Sequence, residues 1–185
     1  MLLRIFSAVF AIILAISLLA CQRFDQKQVF DTWQVEEYGL RVRVTAYNEN
    51  NPFASVSGAF YVFESSSPSR EEWHEIFVFR HDDPVPINKR SVHIVSESVT
   101  YVYMGWIYAV TTDGGKTWSL WDSRDHNFVE PNFDYGVIET VDVGDDGKGK
   151  MLLRVFPSKN SCHTLVTADF GRVWTNGAVI DDCKR

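Results

Sequence analysis

The stretch VTTDGGKTWSLWD, residues 110–122, places a hydroxyl, a carboxylate, two glycines and a tryptophan between two apolar runs. Asp113 can accept hydrogen bonds from backbone N–H groups of the following turn, and the Thr111 hydroxyl can donate to its carboxylate. Gly115 supplies the positive φ that the returning chain requires, and Trp118 is expected to fold its large apolar surface onto the hairpin. The stretch therefore predicts a self-contained turn between two β-strands, where Asp113 has a structural role.

The same spacing recurs near the C-terminus, in CHTLVTADFGRVWTNG at residues 162–177. Both copies have the pattern T-x-D-x-G-x-x-W, and the second consists of Thr167, Asp169, Gly171 and Trp174. Residues 58–79, GAFYVFESSSPSREEWHEIFVF, are interpreted as a third copy with a turn two residues longer and with Trp73 as its tryptophan. Because each hairpin follows two strand-like runs, the chain is expected to contain three units of about four strands, the size of a propeller blade.

Strand-like patterns cover most of the remaining chain. Apolar and polar residues alternate at 40–47, 74–79, 91–96, 99–104 and 137–143, and residues 151–156 form a more continuous apolar run. β-Branched and aromatic residues dominate these runs, and turn residues separate them. Three units are fewer than the roughly four to eight blades of a closed propeller. We therefore expect an all-β fold of antiparallel meander units, in a partial propeller-like or sandwich-like arrangement.

The repeated pattern resembles the Asp-box, or BNR repeat, of sialidases, other glycosidases and many non-enzymatic propellers. The first copy matches it fully, at Thr111, Asp113, Gly115, Thr117 and Trp118, whereas the second has Val173 in place of the threonine. The resemblance covers only the hairpins and is specific for a turn type. It implies that these turns lie at the periphery of the sheets, so Asp113 and Asp169 are not expected to be catalytic acids.

The N-terminus has the pattern of a secretory signal. Arg4 is the one charge in residues 1–20, and an apolar stretch runs from Ile5 to Ala20. This stretch is shorter than the ~20 apolar residues that span a bilayer. LLAC, residues 18–21, is similar to the lipobox of bacterial lipoproteins, which implies a lipid on Cys21. The alternative is an ordinary signal peptide that is cleaved near Ala20.

The resemblance to a lipobox also implies a location. Gln22 follows the cysteine instead of the aspartate associated with inner-membrane retention, so we expect an outer-membrane lipid anchor with the domain facing the periplasm. The predicted divisions are residues 1–20 as signal peptide, 21–30 as lipidated N-terminus and tether, and 31–185 as a single all-β domain.

Charge and cysteine content narrow the class of protein. The formal net charge is −6, and loss of Arg4 with the signal peptide makes the mature chain more negative. This charge argues against nucleic acid as a partner, and attachment to the membrane would depend on the lipid. With Cys21 lipidated, Cys162 and Cys183 are predicted to form a disulfide worth roughly 3 kcal/mol. The rival interpretation, a metal site with His163, has poor ligand spacing.

Residues of other reactive types show no recognised catalytic spacing. The pairs in RHDDP (80–84) and VDVGDDGKG (141–149) lie in turn-like segments, where solvated aspartates are common. A loop with Asp142, Asp145 and Asp146 resembles a calcium loop only loosely, so no metal site is predicted, although weak calcium binding stays open. The five histidines belong to no recognised catalytic motif. The sequence therefore predicts a protein without cofactor or enzymatic activity.

A binding function remains. The chain is similar to periplasmic immunity lipoproteins, which neutralise a toxin acting in the periplasm. The similarity consists of the signal peptide with its lipobox, a small acidic β-rich domain and many aromatic residues. Binding of a protein partner, such as a toxin or effector, is the favoured hypothesis. The alternatives are an envelope assembly factor and a carbohydrate-binding module, for which Trp106 or Trp121 would be the stacking platform.

Overall fold

The computed structural model of the protein describes residues 28–48, 58–66, 72–125, 135–156 and 162–180. They form three antiparallel four-stranded sheets, and the strands of each sheet pair in chain order. Sheet I comprises β1 (Gln28–Glu37), β2 (Leu40–Asn48), β3 (Ala59–Ser66) and β4 (His74–His81). Sheet II comprises β5 (Val92–Ile94), β6 (Thr100–Met104), β7 (Ile107–Thr111) and β8 (Ser119–Asp122). Sheet III comprises β9 (Tyr135–Val143), β10 (Gly149–Phe156), β11 (Cys162–Thr167) and β12 (Thr175–Ile180).

The all-β class and the antiparallel four-strand meander units are thus confirmed. Short 3-10 helices at Lys89–Ser91 and Ser123–Asp125 supplement the strands. β1 begins at Gln28, so its first residues fall within the segment 21–30 that was expected to be a tether. This strand is difficult to recognise because only alternate side chains are partly covered, and it lies at the edge of its sheet.

The connection between β3 and β4 corrects one expectation from the sequence. It comprises residues 67–73 and is as long as the connections 112–118 in sheet II and 168–174 in sheet III. The predicted lengthening by two residues is therefore wrong. Trp73 directly precedes the fourth strand of its sheet, as the tryptophans of the other two turns do.

Sheet II is the middle layer of the molecule. Its β6 and β7 are buried on both faces, since adjacent side chains of a strand point to opposite sides. Val102 and Ala109 belong to a first core that they share with sheet I. Tyr101, Tyr103 and Tyr108 belong to a second core that they share with sheet III. The three sheets therefore form a sandwich-like stack in the order I, II, III.

Close backbone approaches hold neighbouring sheets together. Gly105, at the β6–β7 turn, has φ +59°, and a Cβ there would lie 2.2 Å from the Phe79 ring of sheet I. On the other side of sheet II, the Ile138 N–H of β9 donates to the Gly105 carbonyl at 2.6 Å. Glycine is thus required at this position by its conformation and by the tight contact with sheet I.

Candidate functional site

The turn between β7 and β8 is organised by Asp113. Its Oδ1 accepts hydrogen bonds from the Thr111 hydroxyl at 2.8 Å and from the Lys116 N–H at 3.0 Å. The Thr117 N–H also donates to Oδ1 at 2.9 Å, and the Thr117 hydroxyl donates to Oδ2 at 2.7 Å. The Thr111 oxygen accepts from the Gly115 N–H at 2.9 Å. Both carboxylate oxygens therefore stabilise the turn.

These contacts control the ionisation of Asp113. Partial burial raises the pKa of its carboxyl, but the hydrogen bonds from Thr117, Thr111 and Lys116 outweigh that effect and lower the pKa to about 2. A general acid needs a proton near neutral pH, and the hydrogen bonds here favour the ionised form instead. Asp113 therefore serves as a fixed hydrogen-bond acceptor for backbone N–H groups of the turn.

The turn between β11 and β12 repeats most of this arrangement around Asp169. Its Oδ1 accepts from the Thr167 hydroxyl at 2.7 Å and from the Val173 N–H at 3.0 Å. The Gly171 N–H donates to the Thr167 oxygen at 2.9 Å. Partial burial raises the pKa of Asp169, but hydrogen bonds from Val173, Thr167 and Arg172 produce a net lowering. Val173 has no hydroxyl, so the bond that Thr117 gives to the second oxygen in the first turn has no counterpart.

We call these two segments, residues 111–118 and 167–174, the first and second aspartate turns. The tryptophan at the end of each turn contacts the preceding sheet. Trp118 packs against the first core, and its Nε1 donates to the Ser65 hydroxyl of β3 at 3.1 Å. Trp174 is buried in the second core, edge-to-face with Tyr108 of β7 at a centroid distance of 5.4 Å. The expectation that the tryptophan folds onto its own hairpin is therefore incomplete, since its partners come from another sheet.

An open cavity of about 340 Å³ lies beside the second aspartate turn. It is lined by Val166, Thr167, Ala168, Asp169, Val173 and Thr175. Apolar atoms form most of the lining surface, and Val173 at the rim is 59 % exposed. The cavity is at the lower end of the size range of ligand sites, roughly 300–1,000 Å³. Its dimensions are suited to one side chain or a small ligand.

The structure brings together the nine residues predicted from the repeated pattern, in two groups. Thr111, Asp113, Gly115, Thr117 and Trp118 form the first aspartate turn, and Thr167, Asp169, Gly171 and Trp174 form the second. The turns are adjacent, because the Arg172 guanidinium of the second donates to the Thr112 hydroxyl of the first.

Of the three cysteines predicted to carry the lipid and the disulfide, the structure describes only Cys162. Cys21 and Cys183 lie outside the described residues, so the lipid and the pairing stay predictions. Cys162 is fully buried in β11, and its backbone pairs with Ile180 near the end of β12. Position 183 is thus three residues along the chain from the strand partner of Cys162.

The acidic loop between β9 and β10 is a tight turn. The Asp146 carboxylate pairs with the Lys148 ammonium at 2.9 Å and accepts from the Lys148 N–H at 3.0 Å. These hydrogen bonds from Lys148 lower the pKa of Asp146. Asp142 and Asp145 are exposed. Within the described ranges, three or more His, Cys, Asp or Glu residues nowhere cluster in an arrangement suited to a metal ion.

The tryptophans that were considered as carbohydrate platforms are engaged within the fold. Trp121 is 6 % exposed and contacts Trp174 in the second core, so it is not accessible as a stacking platform for the carbohydrate-binding alternative. Trp106 packs edge-to-face on Phe79 at 4.8 Å, and the Arg124 guanidinium lies 4.7 Å from its ring centroid. Cross-sheet packing accounts for both positions.

The sequence pattern did not identify the cavity residues Val166, Ala168 and Thr175. The one signal that pointed to this region was Val173, where the second copy departs from the repeated pattern. That departure places an exposed apolar side chain on an ordered turn.

Comparisons with protein families, curated proteins and solved structures found no match. The described part of the chain contains no helix with the length and apolar character needed to cross a membrane. Functional assignment consequently depends on the geometry and on the sequence patterns.

Proposed function

We propose that this protein is a non-enzymatic envelope lipoprotein that binds a protein partner, as an immunity or inhibitor protein that neutralises a toxin acting in the periplasm. The observation that carries the proposal is the apolar cavity beside the second aspartate turn. Its rim residue Val173 is held in place by the hydrogen bond from its N–H to Asp169. Binding energy in protein interfaces concentrates in pre-ordered pockets that receive an anchoring side chain.

The partner would insert a side chain into the cavity between β11 and β12. Val166, Ala168 and Val173 supply apolar contacts, and the ionised Asp169 favours a partner that is basic near the anchor. The negative net charge of the chain supports the same preference, because it accelerates encounter with a positively charged surface.

The experiment compares two lysine substitutions of equal exposure. Val173 and Leu120 are both 59 % exposed, but only Val173 lines the cavity. Full-length chain, Val173→Lys and Leu120→Lys are expressed in toxin-sensitive cells that are then exposed to toxin-delivering neighbours. Val173→Lys is expected to lose protection and partner capture from periplasmic extract by at least about tenfold, equivalent to ~1.4 kcal/mol. Leu120→Lys is expected to behave as the parent.

Two outcomes would contradict the proposal. Equal capture and protection by both variants would exclude the cavity as the partner site. Capture of oligosaccharide without any protein would favour the carbohydrate-binding alternative. The circular dichroism spectrum and the melting temperature of each variant show whether the fold is retained.

A further inference from the structure

The hairpin between β1 and β2 contains a tyrosine in a strained backbone conformation. Glu37 pairs with Leu40, so the loop has two residues, Tyr38 with φ +49° and Gly39 with φ +77°. Positive φ at both loop residues is typical of a type I′ turn, whose first position favours asparagine, aspartate or glycine. Tyrosine is unfavourable there, because its Cβ crowds the backbone in the left-handed region. The hairpin would therefore be more stable with asparagine at position 38.

Phe170 is the other described non-glycine residue with positive φ, at +63°, and its contacts account for this conformation. Its N–H donates to the Gly147 carbonyl at 2.9 Å, and its carbonyl accepts from the Tyr108 hydroxyl at 2.8 Å. Its side chain also packs against the second core. Tyr38 differs, since it is 56 % exposed. Packing thus offsets the strain at Phe170, whereas most of Tyr38 faces solvent, and uncompensated strain of this kind clusters at functional sites.

The β1–β2 hairpin lies at the same end of the stack as the two aspartate turns. A Cβ on Gly115 of the first turn would lie 2.6 Å from Cδ1 of Leu40, so the first residue of β2 packs against that turn. The two aspartate turns contact each other through Arg172 and Thr112. Contacts therefore run from the hairpin of sheet I, across the first aspartate turn of sheet II, to the second aspartate turn of sheet III.

Two further turns belong to this end of the stack. The Gly114 N–H donates to the Ser98 carbonyl of the β5–β6 turn at 3.0 Å, and the Phe170 N–H donates to Gly147 in the β9–β10 turn. We call the surface formed by these five turns the turn end of the stack; it comprises residues 37–39, 95–99, 112–118, 144–148 and 168–174.

The turn end combines an acidic surface with two exposed apolar side chains. Its large apolar residues that are more than half exposed are Tyr38 and Val173. An aromatic or apolar anchor surrounded by polar groups is typical of the residues that dominate protein interfaces. Acidic groups outnumber basic groups, which gives a formal charge of −3, so a partner with a basic surface is favoured. The charged residues are Glu37, Glu97, Asp113, Asp145, Asp146, Asp169, Lys116, Lys148 and Arg172.

One partner can cover both apolar side chains. Tyr38 belongs to sheet I and Val173 to sheet III, and packed sheets lie ~10 Å apart, so two sheet spacings separate the residues by roughly 20 Å. A standard interface of ~800 Å² per partner is a patch roughly 30 Å across. The cavity beside Val173 fills only part of such a patch, which leaves room for a second anchor on the hairpin.

The direction of β1 supports the same surface. This strand begins at Gln28 and ends at Glu37, beside Tyr38, and its ten residues span about 30 Å. With the lipid on Cys21, as proposed above, the chain from Cys21 to Gln28 reaches at most roughly 25 Å. The membrane would then lie near the start of β1, and the turn end would face the periplasm, where a diffusing partner has access to it.

We propose that Tyr38 is a second anchor for the protein partner, so that a basic partner covers the turn end from the cavity on sheet III to the hairpin on sheet I. This inference rests on the proposed function and adds a residue from another sheet to the partner site. The strained tyrosine weakens its own turn, but its exposed ring supplies contact area to the partner. Asparagine at this position would relieve the strain and remove the contact, so stability and binding should change in opposite directions.

Substitutions in the full-length chain test this opposition. Tyr38→Asn is expected to raise the melting temperature by roughly 2–4 °C. The same change is expected to lower survival beside toxin-delivering neighbours at least about tenfold. Tyr38→Phe keeps the ring and the strain and should match the parent in both measurements. Val29→Asn is the matched control, because Val29 is 50 % exposed on the same strand but near its opposite end.

Three results would overturn the role of Tyr38. These are full protection by Tyr38→Asn, an equal loss of protection in Val29→Asn, and a lower melting temperature of Tyr38→Asn than of the parent. The last result would show that tyrosine stabilises the hairpin.

Photo-crosslinking separates this inference from the proposed function. Tyr38, Val173 and Val29 are each replaced by photoreactive benzoylphenylalanine in the full-length chain, and the cells are irradiated during exposure to toxin-delivering neighbours. Protein adducts of the same mass are expected from positions 38 and 173, and none from position 29. An adduct from position 173 alone, or adducts of different mass, would overturn the role of Tyr38 and leave the proposed function standing. The absence of an adduct from both positions would contradict both proposals.

Discussion

The two aspartate turns have the same backbone role but different sources of stability. In the first turn, Asp113 uses both carboxylate oxygens, and Trp118 is partly exposed with its Nε1 bonded to Ser65. In the second, Val173 replaces the hydroxyl donor, and Trp174 is buried. Its Nε1 has no hydrogen-bond partner in the part of the chain that the structure describes. The first turn therefore depends mainly on polar contacts and the second mainly on packing.

Substitution of the turn glycines should separate these two sources most strongly. Gly115 and Gly171 both have φ +82°, so alanine imposes a similar backbone strain at each. A Cβ at Gly171 would lie 2.6 Å from the Tyr108 hydroxyl and 2.7 Å from the Trp174 ring, both held in the core. At Gly115 the one close atom is Cδ1 of Leu40 at 2.6 Å, a methyl group of the first core, and the next nearest atoms are 3.8 Å away. We expect Gly171→Ala to lower the free energy of unfolding by about 3 kcal/mol and Gly115→Ala by about 1–2 kcal/mol.

Urea denaturation of Gly171→Ala, Gly115→Ala and the parent in the same buffer measures both losses in the free energy of unfolding. Equal losses for the two variants would show that packing against Tyr108 and Trp174 does not distinguish the second turn.

Removal of the aspartates should have the opposite ranking. Asp113→Ala deletes a carboxylate that accepts at both oxygens, whereas Asp169→Ala deletes one that accepts at Oδ1. After allowance for solvent screening of these partly exposed groups, we expect losses of about 2 and about 1 kcal/mol in the free energy of unfolding. Chemical denaturation provides the measurement. A larger loss for Asp169→Ala would contradict the proposed difference.

The stabilisation by Asp113 should depend on pH. Its folded pKa, about 2, is lower than the unfolded value near 3.8. A carboxyl with a depressed folded pKa contributes its full stability above the unfolded pKa and loses it as pH falls. The stability difference between the parent and Asp113→Asn should therefore be constant above about pH 5 and shrink from about pH 4 to pH 2. Thermal melts across that range test the sign, and a difference that grows on acidification would refute it.

Exchanging the residue types at the equivalent positions 117 and 173 should have the smallest effects on the free energy of unfolding. Thr117→Val removes the hydroxyl that donates to Asp113 and is expected to cost about 1 kcal/mol. Val173→Thr offers a matching hydroxyl to Asp169 and is expected to stabilise by about 0.5 kcal/mol. Melting temperatures of the two single variants and the double variant give the comparison. If Val173→Thr destabilises the protein, the missing hydroxyl is not the reason for the difference between the turns.

Local patterns predicted much of the architecture. The alternation of apolar residues and the repeated Thr, Asp, Gly and Trp positions identified the meander units, because both signals depend on short stretches of chain. The early strand β1 and the equal length of the 67–73 connection were missed. β1 is an edge strand whose residues are mostly exposed, and the 67–73 connection lacks the aspartate and glycine that mark the other turns.

The candidate site was less predictable from sequence. Val173 stood out as a departure from the repeated pattern, but the cavity also needs Val166 of β11 and Thr175 of β12. These residues meet only because the second aspartate turn brings two strands together. For Trp121 the sequence suggested a binding role that the structure does not support. This residue lies on the edge strand β8 and was considered as a ligand platform, but Trp174 of the neighbouring sheet covers it.

Short-range sequence patterns account for most of the strands other than β1 and for the hydrogen bonds that close the two turns, since the groups involved are at most a few residues apart. The tertiary structure decided that sheet II lies between the other two and that Trp118 and Trp174 contact preceding sheets. It also decided that Trp73 lies against Arg43 of its own sheet. Those outcomes depend on which sheet faces bury their side chains against each other, and that choice involves residues far apart in the chain.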